Sequence, residues 1–150
     1  MSLRIPPVLL VSICAALSWG LAFLLPTMSF GGAWRYAVAA AFLLIAFVIL
    51  FVAVRSFLVA KTTLNPFSPD DTEHLVTTGL YRFSRNPMYV AMASILTAIT
   101  FGIGNYVSFL SVALFCWFIT EFQIKPEEKI LKQTFGQNYA GYMQQTRRWI

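Results

Sequence analysis

The residues able to do chemistry are gathered in two places. One is the stretch His74-Leu-Val-Thr-Thr-Gly-Leu-Tyr-Arg-Phe-Ser-Arg-Asn-Pro-Met-Tyr89, which holds the chain's single histidine, two arginines and two tyrosines. The other is the adjacent pair Glu127 and Glu128. An imidazole titrates near neutrality and can act as a base, a guanidinium holds anions, and a carboxylate holds a cation or a hydroxyl. Each residue also has a plainer reading. A lone histidine in a loop is more often a surface hydrogen-bonding group, Arg85-Asn86-Pro87 can anchor a helix at an interface, and paired glutamates suit the first turn of a helix. No Ser/His/Asp set, phosphate-binding loop or HExxH pattern accompanies them, and no metal-ligand spacing exists. Taken alone, these residues define a polar pocket without a named reaction.

The elements that must position them are membrane elements. Hydrophobic residues make up 58% of the 150 and charged residues 11%, against about 25% charged in a typical soluble domain. Polar groups cannot stay unsatisfied in hydrocarbon, so the two polar segments lie at the membrane surface or line a cavity. The net charge of +5 forms no basic stripe, which excludes a nucleic-acid partner. Cys14 and Cys116 fall inside apolar runs and read as small packing residues, not a disulfide. The length fits one domain, residues 1–150.

The chain is predicted to be an all-α integral membrane protein with four transmembrane helices and a short amphipathic surface helix at its C-terminal end. Residues 8–25 carry no charge and would span about 27 Å as a helix, close to the hydrocarbon thickness. Their length and the lack of a small-residue cleavage site favour a retained helix over a signal peptide. The second span covers roughly 34–58, with Trp34 and Tyr36 as interfacial aromatics. Residues 61–73 hold prolines, acids and turn formers and form a loop outside the bilayer. Pro87 then suits the first turn of a third span, 88–102, and residues 102–105 turn the chain into a fourth, about 106–122. Small residues recur every four positions at Ser12, Ala16 and Gly20, at Ala33, Ala37 and Ala41, and at Ser94, Ala98 and Gly102. Such stripes let helix backbones approach closely in lipid.

In the tail, Pro126 to Phe135 reads as a separate surface helix, with Pro126 in its first turn, Ile130, Leu131 and Phe135 as its apolar stripe, and Gly136 as its stop. Tyr139, Tyr142 and Trp149 with Arg147 and Arg148 read as an aromatic and basic anchor. Four spans place both termini and the middle loop on one side. That side carries ten of the eleven lysines and arginines, and Arg35 alone lies opposite. The positive-inside rule makes the crowded side cytoplasmic.

Three blocks in order then resemble the isoprenylcysteine carboxyl methyltransferase family, itself similar to the phospholipid N-methyltransferases. They are His74-Leu-Val-Thr-Thr-Gly-Leu-Tyr81, Arg85-Asn-Pro-Met-Tyr89, and Glu127-Glu-x-x-Leu131-x-x-x-Phe-Gly136-x-x-Tyr139-x-x-Tyr142. The resemblance covers about residues 61–148. It implies S-adenosylmethionine as methyl donor, held between the middle loop and the tail by His74, Leu75, Val76, Tyr81, Asn86, Pro87, Met88, Tyr89 and Glu127. It implies Gln123 and Arg85 near the acceptor, a small lipidic or amphipathic molecule methylated on a carboxyl or an amine. Many relatives carry histidine where this chain has Asn86, and the prenylcysteine enzymes carry a substrate-binding arginine where it has Gln123. A nicotinamide-dependent membrane reductase of the sterol-reductase type and a non-catalytic membrane scaffold are the alternatives.

Overall fold

The computed structural model describes residues 5–60 and 75–150, and in these the chain is helical, with no β-strand beyond two isolated bridges. Helix α1 is Pro7–Leu24, α2 is Trp34–Ala60, α3 is Pro87–Ile103, α4 is Phe109–Ile119 and α5 is Lys125–Gln145. Three stretches, Pro7–Leu24, Trp34–Ser56 and one within Tyr106–Gln145, are long and apolar enough to cross a membrane, and α3 is a shorter apolar helix of 17 residues. At 1.5 Å per residue α3 is about 26 Å long.

Helix α3 is the centre of the bundle. It packs against α2 on one side and against α1 and α4 on the other. Its buried face carries Ala91, Ser94, Leu96, Ala98 and Thr100, small enough for close approach. A core of Leu10, Cys14, Tyr89, Leu96, Phe115, Ile119 and Ile124 fills the α1–α3–α4 junction. Of the three small-residue stripes, the one on α3 turns inwards, with Ser94 and Ala98 buried and Gly102 half-buried, whereas Ser12, Ala16 and Gly20 and Ala33, Ala37 and Ala41 are exposed. Helix α1 instead buries Leu10, Cys14 and Ser18. There the Ser18 and Ser111 hydroxyls lie 2.5 Å apart, and Ser108 donates to the Ser18 carbonyl at 2.8 Å. Hydrogen bonding outweighed side-chain size in choosing the α1 face.

Opposite ends of the bundle are fastened differently. At one end the α1–α2 and α3–α4 turns meet: the Phe30 amide donates to the Gly104 carbonyl at 2.7 Å and Asn105 Nδ2 to the Leu25 carbonyl at 2.9 Å. Gly104 ends α3 with φ +75, and a Cβ there would fall 1.8 Å from Arg35 Nη1, which donates to the Ile103 carbonyl at 3.0 Å. Only glycine fits that conformation and that approach. At the other end the chain before α3 meets the C-terminal residues.

The tail departs from the separate surface helix expected. Helix α4 runs into α5 through a π-helical turn, Thr120–Ile124, without a break. Pro126 has no N–H for the Phe122 carbonyl and its ring would crowd a regular turn, so the Lys125 amide bonds five residues back, to Thr120. Gly136 does break the helical path, with φ 50 and ψ −122, and a second helical stretch then carries α5 on to Gln145. Nor is the aromatic and basic set a free anchor. Tyr139 is buried, Tyr142 donates to the Tyr81 carbonyl at 2.6 Å, and Trp149 Nε1 donates to Thr120 Oγ1 at 3.2 Å.

Candidate functional site

The site lies where α3 begins, beside the π-helical turn and the first turn of α5. Residues 84–86 and 146–148 run side by side, joined by the Arg85 amide to the Arg147 carbonyl at 2.9 Å and by Asn86 Nδ2 to the Arg148 carbonyl at 3.0 Å. Asn86 precedes Pro87, the first residue of α3. Its side-chain amide thus ties the C-terminal segment to the helix start.

Two turns of helix bring three predicted residues together. Tyr89, buried one turn into α3, donates through its hydroxyl to Glu127 Oε1 at 2.9 Å and Oε2 at 3.2 Å. Gln123 Nε2 donates to Glu127 Oε1 at 2.8 Å. The Gln123 and Glu127 side chains therefore converge across the junction that Pro126 opens. Both donors are neutral, and among the described residues no cation contacts the Glu127 carboxylate. Burial pushes the Glu127 carboxyl up to about 7, against the opposing pull of the Gln123 and Tyr89 hydrogen bonds, with the Glu128 charge adding to the rise.

Glu128, one residue on, has the opposite surroundings. Arg85 Nη2 donates to its Oε1 at 2.9 Å, and Arg148 donates from Nε at 3.0 Å and from Nη2 at 2.8 Å. Desolvation alone would raise the Glu128 carboxyl, but hydrogen bonds and charge from Arg148 and Arg85 hold it below the usual carboxylate range. Arg85 also donates to the Met143 carbonyl at 3.1 Å and to the Thr146 carbonyl. The two terminal nitrogens of Arg85, the residue expected near the acceptor, bond within the protein, and its buried Nε has no hydrogen-bond partner among the described residues. The sequence reading paired Glu128 with Glu127 and put Arg148 in the tail anchor, but counted neither among the cofactor or acceptor residues.

The remaining predicted residues spread along the same wall. Tyr81 is buried in the 3₁₀ turn Gly79–Arg82 that precedes α3. Pro87 is buried, while Leu75, Val76 and Met88 are half-buried. His74 lies outside the described residues. Lys125 is exposed and paired with Glu121. The described part of the site therefore offers one carboxylate held by neutral donors, aromatic rings at Tyr81 and Tyr89, and no uncommitted guanidinium against Glu127.

The family profile described as phospholipid methyltransferase matches residues 34–138 of the chain. An uncharacterized protein of Haemophilus influenzae is 41% identical over 63 residues, which is 42% of this chain and the whole of that protein. No solved structure matches.

Proposed function

Since the chain belongs to the phospholipid methyltransferase family, we propose that it transfers a methyl group from S-adenosylmethionine to an amine on a lipidic acceptor. The carrying observation is the Glu127 carboxylate, half-buried, oriented by Tyr89 and Gln123, and unmatched by any described cation. A partly desolvated carboxylate without a counter-charge favours a cationic ligand. The donor set fits the cofactor: a carboxylate suits an ammonium, a sulfonium or ribose hydroxyls, and the tyrosine rings suit adenine and cation contacts. When bound, S-adenosylmethionine supplies a methyl group on a cationic sulfur.

Each residue then has a task. Glu127 holds positive charge, and Tyr89 and Gln123 fix the plane of its carboxylate. Tyr81, Leu75, Val76, Pro87 and Met88 supply further cofactor contacts, as does His74, which lies outside the described residues. Asn86, Arg85, Glu128 and Arg148 keep the start of α3 against α5, so that Tyr89 and Glu127 stay in register. Methyl transfer needs the acceptor lined up behind the methyl carbon, so holding this geometry is much of the catalysis.

The choice of amine over carboxylate rests on the neighbouring charges. A carboxylate acceptor needs a cation, yet Arg85 and Arg148 serve Glu128 and Lys125 serves Glu121. Gln123 presents its amide N–H to Glu127. An apolar acceptor body suits a site at the end of membrane helices, and the basic asymmetry supports a cytoplasmic site. Purified protein incubated with methyl-labelled S-adenosylmethionine and a total lipid extract should place base-stable label in the organic phase. Base-labile label would mean an ester and refute the amine; label confined to water-soluble acceptors would refute the lipid.

A further inference from the structure

Two arginines at the site end differ from Arg85 and Arg148 in having no carboxylate. Arg82 and Arg147 are both exposed, and neither makes an ion pair among the described residues. The only side-chain contact of Arg147 there is a 3.5 Å hydrogen bond to the Ile150 carbonyl. They sit on neighbouring strands of chain: Thr146 Oγ1 donates to the Arg82 carbonyl at 3.5 Å, and Ser84 bridges to Arg147 in parallel. The segment that carries them is pinned from beneath by Arg85, so the backbone beneath both guanidinium groups is fixed.

Phe83 directly follows Arg82 and is 72% exposed. Its backbone N–H donates a hydrogen bond to the Leu80 carbonyl at 3.0 Å. Four residues later Pro87 opens the apolar helix α3, so Phe83 lies near the boundary between headgroups and hydrocarbon. A ring at that boundary loses water by lying along acyl chains. A guanidinium beside it meets lipid phosphate, which it can hold with two parallel hydrogen bonds.

We propose that Arg82, Phe83 and Arg147 form a headgroup site for an anionic phospholipid on the rim of the methyltransferase site. The two arginines take the phosphate and Phe83 lies against the acyl chains. Two positive charges with no counter-charge among the described residues favour a lipid with net negative charge over a zwitterion, whose own ammonium offsets its phosphate. This is a binding site beside the reaction, and it holds whether the acceptor is an amine or a carboxylate.

The test is native mass spectrometry of the full chain in detergent, titrated with phosphatidylglycerol and, separately, phosphatidylcholine. Wild-type protein should retain phosphatidylglycerol preferentially. Arg82→Gln with Arg147→Gln should weaken its retention roughly tenfold, since each basic side chain near an anionic headgroup contributes on the order of a kilocalorie per mole. Lys129→Gln with Lys132→Gln removes the same charge from exposed positions on α5 and should leave retention within about twofold. Phe83→Ser should lower retention of both lipids alike. Inorganic phosphate at millimolar concentration should displace neither. Circular dichroism and thermal unfolding establish that each variant is folded, and single Arg82→Gln, whose backbone contacts are kept, gives a partial loss should the double variant fail to fold. Equal retention of the two lipids by wild type, an equal loss in the lysine control, or displacement by free phosphate would each overturn the site.

Discussion

Glu127 and Glu128 are the same residue type one position apart, and their neighbours give them different work. Glu128 meets two guanidinium groups, whereas Glu127 meets a phenol and an amide. Removing each should therefore fail in a different assay. Glu128→Ala leaves Arg85, 9% exposed, without its carboxylate, and should lower stability by about 3 kcal/mol, read as a fall in unfolding temperature. Glu127→Gln keeps the shape and a hydrogen-bonding oxygen, so its unfolding temperature should stay near wild type. Its affinity for S-adenosylhomocysteine should fall by about 1–3 kcal/mol, measured by calorimetry. Ligand affinity should also depend on pH. Because burial lifts the Glu127 carboxyl to about 7, the free protein holds a proton there below neutrality. A cationic ligand selects the ionised form, so affinity should rise roughly tenfold from pH 6 to pH 8 in wild type. In Glu127→Gln that rise should disappear; a rise of equal size in the variant would assign the pH dependence to another group.

The junction between α4 and α5 matters because it sets the direction of Glu127. The π-helical turn holds one more residue per turn of bonding than an α-helix, and one residue corresponds to about 100° of rotation. Pro126 stands just beyond that turn. Pro126→Ala restores an N–H and permits an α-helical register, which would carry Glu127 away from Tyr89. That variant should keep or gain unfolding temperature while its affinity for S-adenosylhomocysteine falls several-fold. A variant with wild-type affinity would separate the proline from the site. Pro126 was visible in the sequence, and its meaning was not. A proline after an apolar run suits both a new helix start and a strained continuation, and only the packing of Tyr89 and Trp149 decides between them. The same limit applies to Arg85. Its partners lie 43, 58 and 61 residues away in sequence, beyond any local pattern. What could be read locally was read well: Pro87 opening α3 and the turn at Gly104.

The bundle as a whole carries its two fastenings at opposite ends. Ser29 bridges to Asn105 at one end and Ser84 to Arg147 at the other, so the chain runs up and down through α1, α2, α3 and α4 in turn. Ile5 and Trp149 both pack on the core that includes Tyr89, which brings the two chain ends together there. The charges follow the same division. Arg35 alone sits at the far end, held by the carbonyls of Phe30 and Ile103 and by the Tyr36 hydroxyl. In the four-span reading of the sequence the other ten basic residues fall on the site side. Moving ten cations across a membrane is far costlier than moving one, so insertion should leave the site end in the cytoplasm. Gly31 and Gln137 are exposed at opposite ends, and no atom lies within 4 Å of a Cβ at Gly31. With Cys14 and Cys116 replaced by alanine, Gly31→Cys should react with a membrane-impermeant maleimide added outside intact cells. Gln137→Cys should react only after the cells are opened. Labelling of both from one side would break the four-pass arrangement, and labelling of Gln137→Cys alone from outside would invert it. Either outcome would also remove the argument that the methyl acceptor is drawn from the cytoplasmic leaflet.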